Sequence, residues 1–203
     1  MDDGGVPGLR ERKKAETREA ISRAAARLAL QHGPENVRVA DIAAEADVSP
    51  RTYNNYFASI PEAICAGPSD RALAFADAVR RRPVDEPLEV TIADAIIEVQ
   101  SDSLMDRALV RMMIHTPALR GEFFKAVVAR DAALAEVIAE RTGCAPGDLY
   151  PELLAATISS VTRVVSRRWM NDETADFGVL LREALAMVAP MIAERKISGH
   201  QVA

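Results

Sequence analysis

Cysteine is scarce in this chain: Cys65 and Cys144 are the only two in 203 residues, and they stand 79 positions apart. That spacing excludes a disulfide framework and a cysteine-cluster zinc site, and it fits a reducing cytoplasm. Long apolar runs are missing as well, since none approaches the ~18 residues of a membrane span. Residues 1–10 are acidic and then Gly/Pro-containing, with no apolar stretch behind them, so no signal peptide is expected. An excess of positive charge is absent too. Twenty-five Lys/Arg stand against 30 Asp/Glu, a formal net charge of -5, which in bulk argues against a histone-like binder. The three histidines, His32, His115 and His200, share no metal-ligand spacing. There is no GxSxG, no phosphate-cradling glycine loop and no HExxH, so neither an enzyme nor a metal nor a cofactor is expected.

What remains is a chain long enough for one domain or two small ones, 49% hydrophobic and 27% charged, in the range of ordinary soluble globular proteins. Charge becomes informative once it is divided along the chain. Residues 1–60 hold nine Lys/Arg and nine Asp/Glu, while the other 143 residues hold 16 and 21 and carry the whole negative balance. Within the first part, residues 9–30 hold seven basic and three acidic side chains. A solvated helix with a chance excess of arginine is the bland reading of that local surplus; a nucleic-acid contact is the sharp one.

Apolar periodicity is helical from end to end. Ile21, Ala24, Ala25 and Leu28 form one stripe at i, i+3, i+4, i+7 within residues 15–32, and Gly33-Pro34 stops it. Ile42, Ala43 and Ala46 form a second, very short stripe. Asp47 then falls where a turn wants φ > 0, which Asp tolerates better than most residues. Ser49 can cap a third helix, with Pro50 at its first position, running to about Tyr56. Further helices are expected over about 61–81, 88–101, 103–115, 118–142, 148–170 and 175–196, broken at Arg82-Pro83, Thr116-Pro117, residues 143–147 and Asn171-Asp172. No segment alternates with period two, so the fold class is all-α, and there is no internal repeat or low-complexity tract.

Residues 39–57, VADIAAEADVSPRTYNNYF, carry the specific signal. They read as two short helices joined by a tight turn, with the small Ala43 allowing a close crossing and Ile42, Tyr53 and Phe57 as core. The exposed face of the second helix is Ser, Arg, Thr and Asn. That is a helix-turn-helix, whose second helix lies in the major groove. Here the sequence resembles the TetR family of bacterial transcriptional regulators. The matching residues are Arg18, Ile21, Ala25 and Gly33, then Val39 to Ala43, Val48 to Thr52, Asn55-Tyr56-Phe57 and Ser59, led by the basic stretch Arg10, Arg12, Lys13 and Lys14. The likeness is motif-rich over residues 9–64 and only architectural beyond residue 65. The chain departs from the pattern at four places. Asp47 replaces the usual turn glycine, Asn54 the usual aromatic, and Ile60-Pro61 the usual Lys-Glu, whose lysine ordinarily meets a DNA phosphate. Arg38, where Thr is usual, offers a substitute phosphate contact.

The resemblance implies an arm over residues 1–14, a three-helix helix-turn-helix DNA-binding domain over 15–60, and a C-terminal helical bundle for effector binding and dimerisation over 61–203. Arg51 and Asn55 are the expected base readers, since Arg forks onto guanine and Asn onto adenine. Thr52 is expected at a thymine methyl or a phosphate; Pro50, Ser49, Asn54 and Tyr56 sit with the register-fixing backbone contacts, Tyr56 having a second reading as a packing aromatic. Arg10, Arg12, Lys13 and Lys14 are expected in a mobile arm on the backbone or minor groove, or else in a solvated tail. Leu154, Ile158, Val161 and Val165, with Phe177, Leu181, Ala184, Val188 and Met191, are expected at a four-helix dimer interface; the alternative is a bundle within one chain. Met105, Met112, Met113, His115, Phe123, Phe124, Arg163 and Trp169 are pocket candidates, with simple core as the competing reading for the apolar ones and an interface ion pair for Arg163.

The expected function is a cytoplasmic, membrane-free homodimeric regulator, of repressor type, on a palindromic double-stranded DNA operator. A small apolar ligand releases it by moving the helix that links pocket and reading head. Two rivals stand beside it: a helical ligand-binding or scaffold protein whose reading head has lost DNA affinity through Asn54 and Ile60-Pro61, and a thiol sensor using Cys65 or Cys144.

Overall fold

A computed structural model describes residues 8–100, 104–145 and 147–193. The described residues contain no strand. They form α1 (Leu9–His32), α2 (Val39–Glu45), α3 (Pro50–Tyr56), α4 (Ile60–Arg81), α5 (Leu88–Val99), α6 (Leu104–His115), α7 (Pro117–Thr142), α8 (Leu149–Asn171) and α9 (Phe177–Ala193), with a 3-10 turn at Pro34–Asn36. The all-α expectation holds, and most boundaries fall within a residue or two of the breaks read from proline, glycine and capping residues.

The largest departure is the start of α1, at Leu9 instead of residue 15. Residues 9–15, LRERKKA, contain no breaker and consist of strong helix formers, so nothing stops propagation before Gly8. The Arg12 N–H donates to the Gly8 carbonyl at 3.1 Å, and Glu11 places a carboxylate in the first turn, where the helix dipole favours it. Arg10, Arg12, Lys13 and Lys14 therefore ride on the first turns of a helix and not on an arm. Residues 1–7 of the expected arm lie outside the described residues.

The chain divides into two units by contact: Met1–Asp70 with Ala108–Lys125, and Arg71–Arg107 with Ala126–Ala203. The first, the head, is therefore not the contiguous 15–60 expected. Leu109, Met113 and Leu119 are buried in the same core as Ile21, Ile42, Tyr53, Phe57 and Ile64. Removing each such side chain from water contributes roughly 1.5–3 kcal/mol, so the end of α6 and the start of α7 are structural parts of the head.

Inside the head, α4 passes through Pro68, which has no N–H to continue the helical ladder. Side chains serve the neighbouring groups: the Gly67 N–H donates to the buried Ser22 hydroxyl of α1 at 3.0 Å, and Ser69 Oγ donates to the Cys65 carbonyl at 2.8 Å. Within the second unit, the body, α9 packs on α8 and α5. Trp169 meets Phe177 edge-on, with ring centroids 5.7 Å apart. Arg107 lies over the Trp169 ring at 4.3 Å and donates to the carbonyls of Trp169, Asp172 and Ala175, closing the C-terminus of α8. Arg141 does the same for α4, donating to the carbonyls of Val79, Arg82 and Pro83. Cations at helix C-termini satisfy orphan carbonyls and complement the dipole.

Candidate nucleic-acid interface

The turn between α2 and α3 is built by local chemistry. Asp47 takes φ +53°, the only positive φ among the described non-glycine residues. The Asp47 N–H donates to the Ala44 carbonyl at 3.2 Å and the Val48 N–H to the Ala43 carbonyl at 2.9 Å. This pair of bonds is the Schellman ending of a helix. Ser49 follows as the cap of α3, its Oγ accepting from the Thr52 N–H at 3.0 Å, with Pro50 in the first turn. Three sequence expectations meet in these few residues: the left-handed Asp47, the capping Ser49 and the leading Pro50.

Below the turn, Tyr53 and Phe57 anchor α3. Both are buried, with ring centroids 5.9 Å apart. The Tyr53 hydroxyl donates to the Ser59 carbonyl at 2.9 Å, and burial, helped by nearby Glu62, pushes its pKa up to about 12. Ser59 in turn begins α4: its Oγ accepts from the Glu62 N–H at 3.2 Å, while the Glu62 carboxylate accepts from the Ala58 N–H at 2.8 Å. This is a capping box in all but one position. The Ile60-Pro61 departure therefore preserves the start of α4. Arg18, on α1, locks the far side of the same anchor. Its guanidinium lies 4.6 Å from the Phe57 ring centre and pairs bidentately with Asp70 at 3.2 and 3.3 Å.

The expected readers stand outward from this frame. Pro50, Arg51, Asn54 and Asn55 are exposed, and Thr52 is half-buried. Arg51 and Asn55, four apart, share one face, and α3 itself carries no acidic residue. Ser49 has its oxygen engaged by the cap and lies 2.9 Å from Thr52 Oγ1, so it serves α3 before any phosphate. Tyr56 is half-buried and packs against the head core, which favours its second reading. Arg38 is exposed at the N-cap of α2, where its own carbonyl accepts from Asp41 and Ile42.

Charge pairing sorts the nine cations of residues 8–60 into two groups. Arg18 pairs with Asp70, Arg23 with Glu19 and Arg27 with Glu45. Among the described residues, Arg10, Arg12, Lys13, Lys14, Arg38 and Arg51 have no ion pair. Six unneutralised cations and an acid-free polar helix face can neutralise phosphates and reach base edges. Sequence periodicity gave no sign of Arg18's anchoring role, because its partner Asp70 is 52 residues away.

The pocket residues expected from the sequence divide between the two units. Met113 is buried in the head core, with Met112 and Phe123 packed against it. Phe124 is 67% exposed and His115 is exposed. Trp169 is buried in the body against Phe177, and Arg163 is exposed on α8 beside Ser160. The core reading holds for Met113 and Trp169. Two clefts of about 450 and 380 Å³, one including His32, Asp41 and Glu45 and the other Arg167, Arg168 and Asn171, contain none of these residues.

The interface expectation is corrected in the same way. Leu154, Ile158, Val165, Phe177 and Leu181 are buried within the single chain, leaving almost no surface for a partner. Val161, Ala184 and Val188 are half-buried. The side chains of Met105 and Met191 fall outside the described residues. The apolar groups that do face outward are Leu149, Leu153 and Val164 on α8, and Val179 and Met187 on α9. Leu149 and Leu153 stand at i, i+4, a stripe on the other side of α8 from the richer one that dominates its periodicity.

Cys65 is buried, its thiol pushed up to about 12 by burial and by Glu122. Cys144 is half-buried and accepts from Thr142 Oγ1 at 3.2 Å. Among the described residues no group of three His, Cys, Asp or Glu could hold a metal, and no helix is long and apolar enough to cross a membrane.

Comparison with known proteins agrees with this geometry. Residues 21–62 match the model of the bacterial regulatory proteins, tetR family, and residues 86–193 match the MftR C-terminal domain. The HTH-type transcriptional regulator TcmR of Streptomyces glaucescens is 34% identical over 186 residues, covering 86% of this chain and 82% of that protein. Solved structures that share the fold include two FadR proteins. One is Thermus thermophilus FadR, a TetR-family transcriptional repressor in complex with lauroyl-CoA, with TM-score 0.58, 20% identity and coverage of 90% of this chain and 98% of that one. The other is the fatty acid degradation regulator FadR of Bacillus halodurans, with TM-score 0.63, 18% identity and coverage of 88% and 97%. A capped helix-turn-helix with an acid-free outer face, joined to a helical body and matched over both parts, places this chain in the TetR family of bacterial transcriptional regulators.

Proposed function

We propose that the chain acts as a homodimeric repressor that binds a palindromic operator through α3 and is released when a small molecule binds the body. The observation that carries the DNA part is the lack of ion pairs, among the described residues, at Arg51, Arg38 and the four cations at the start of α1, beside a reading helix without a carboxylate. In this reading Arg51 and Asn55 contact base edges, and Arg38, Arg10, Arg12, Lys13 and Lys14 contact phosphates. Two copies of α3 sit ~34–36 Å apart, one DNA turn. The second copy covers Leu149, Leu153 and Val164 of α8 with Val179 and Met187 of α9, since these apolar groups have no cover within the chain.

Release runs through α4, whose Ile60–Arg81 span is continuous from head to body. A coupling of ~1–3 kcal/mol is the usual size for such a device. That a relative in fold, the Thermus FadR, holds lauroyl-CoA supports an effector in the body. The thiol-sensing rival is disfavoured at Cys65, because a buried thiol raised to about 12 supplies no thiolate near neutrality. The dead-head rival is weakened by the intact capping at Ser59 and Glu62.

Gel-shift titration of the chain's own promoter fragment tests the DNA part. The Arg51→Ala, Asn55→Ala double variant should lose at least about thirtyfold in affinity, each good base contact being worth ~1–3 kcal/mol. Wild-type affinity in that variant would show that α3 does not read DNA.

A further inference from the structure

We propose that Arg130 on α7 and Arg163 on α8 form an anion subsite in the body, and that the effector is an amphiphile with a carboxylate or phosphate head. The inference rests on the effector reading above and adds the ligand's charge to it. Arg130 lies on the inward face of α7: Leu134 and Val137, four and seven positions on, are buried, while Ala126 and Val127, four and three back, are half-buried. Its side chain is only 22% exposed. A cation held among aliphatic side chains needs close acceptors to offset its lost hydration. Among the described residues the guanidinium has one ionic partner, Asp131, at a long 3.5 Å. That same carboxylate oxygen already accepts from the buried Ser159 hydroxyl of α8.

The second guanidinium sharpens the imbalance. Burial, together with the nearby charge of Arg163, lowers Arg130's affinity for its proton. Arg163 itself reaches Ser160 Oγ at 3.5 Å, which supplies no countercharge. Asp131 is thus the one carboxylate paired with Arg130, and Arg163, four residues on from the Ser159 that binds it, brings a second cation without adding a countercharge. A planar guanidinium takes carboxylate or phosphate bidentately, and that geometry supplies what Asp131 does not. The aliphatic neighbours of Arg130 suit a hydrocarbon tail behind such a head.

Decanoate, decyl phosphate and decanol separate charge from chain length, and each is titrated into full-length protein by calorimetry with and without promoter DNA. Both anions should bind at least tenfold more tightly than decanol, and the tighter of the two identifies the head group. Arg130→Gln should weaken the anions by about tenfold to a hundredfold, the range of a hydrogen bond to a charged group, and leave decanol unchanged. Arg130→Lys should keep part of the response. Arg163→Gln, at an exposed position, should weaken the anions in the same direction and covers the case in which Arg130→Gln does not fold.

Decanol binding as tightly as decanoate, or anion affinity untouched in both Gln variants, would overturn the subsite. So would a loss of self-association in sedimentation with the anion response intact, since the cations would then belong to an interface with a second copy. Arg130-dependent anion binding that leaves DNA affinity unchanged would keep the subsite and remove the effector reading. The two proposals can therefore fail separately.

Discussion

Head and body differ in how many of their cations the fold has already paired. In the body, Arg80 holds Glu140 and Asp77, Arg81 holds Glu98, and Arg82 and Arg182 converge on Asp94, Arg82 taking Glu86 as well. Arg107 and Arg141 close helix ends on backbone carbonyls. In residues 8–60 of the head, Arg18 holds Asp70 and Phe57, Arg23 and Arg27 hold Glu19 and Glu45, and the other six cations face outward without an ion pair among the described residues. The lesson is that net charge says little about a nucleic-acid role. What matters is which cations the fold has already neutralised. A chain at -5 can present a cationic surface if its carboxylates are gathered around arginines elsewhere.

The largest effect of that difference on stability is expected at Arg107. Arg107→Ala removes the hydrogen bonds to the carbonyls of Trp169, Asp172 and Ala175 and a cation–π contact with Trp169, and should cost about 2–4 kcal/mol. Differential scanning calorimetry would record this as a fall of several degrees in Tm. A Tm within one degree of wild type would show that the carbonyls find water at no cost. Next come the head's free cations. Replacing Arg10, Arg12, Lys13 and Lys14 by Gln should weaken DNA binding by about tenfold to a hundredfold at low salt and flatten the plot of log K against log salt by about 0.9 per lost phosphate contact. The matched body variant, with Arg80, Arg81 and Arg182 as Gln, should lower Tm slightly and leave that slope alone, because exposed ion pairs contribute ~0–1 kcal/mol each. Equal slopes in the two variants would erase the distinction between the units.

Much of the head was legible because its determinants are local. Asp47, Ser49, Pro50 and Gly33 each meet a backbone requirement set within five residues, and the structure has all four in the expected roles. The arm was misread although its residues are good helix formers, because the apolar stripe that marks a buried helix begins only at Ile21. The body's interface was misread for a deeper reason. Periodicity reveals that α8 has an apolar face at Leu154, Ile158 and Val165, but not whether this chain or another covers it. Met113 teaches the same point: nothing within α6 announces that its side chain completes the core of a helix-turn-helix more than 50 residues earlier.

Acid should expose the body's pairing directly. Glu86 is held down to about 2 from 4.5, first by hydrogen bonds from Arg82 and Thr91 and then by the charges of Arg82 and Arg141. A carboxyl whose folded pKa is depressed stabilises the fold above its unfolded pKa, and that contribution fades as pH falls from about 4.5 towards 2. Thermal midpoints of wild type and Glu86→Gln should differ at pH 7 and converge across that window. A gap that stays constant down to pH 2 would mean that the carboxylate's charge contributes nothing there.

The smallest effect is expected at Asp47, where the head's geometry rests on one backbone angle. An L-residue at φ +53° carries a penalty that glycine escapes, and Asp carries less of it than Ala because its short polar side chain bonds locally. Glycine also loses more backbone freedom on folding, so the two effects partly cancel. Asp47→Gly should therefore raise stability by only about 0.5 kcal/mol, and Asp47→Ala should lower it by about 1 kcal/mol. Chemical denaturation of the three proteins should give the order Gly, Asp, Ala, with the DNA salt slope the same in all. If Ala matched Asp, the turn would be held by the packing of Val48 and Tyr53 below it and not by its backbone. If stability and salt slope moved together, the turn carboxylate would belong to the DNA surface, and the division between the head's structural and its free charges would have to be redrawn at this residue.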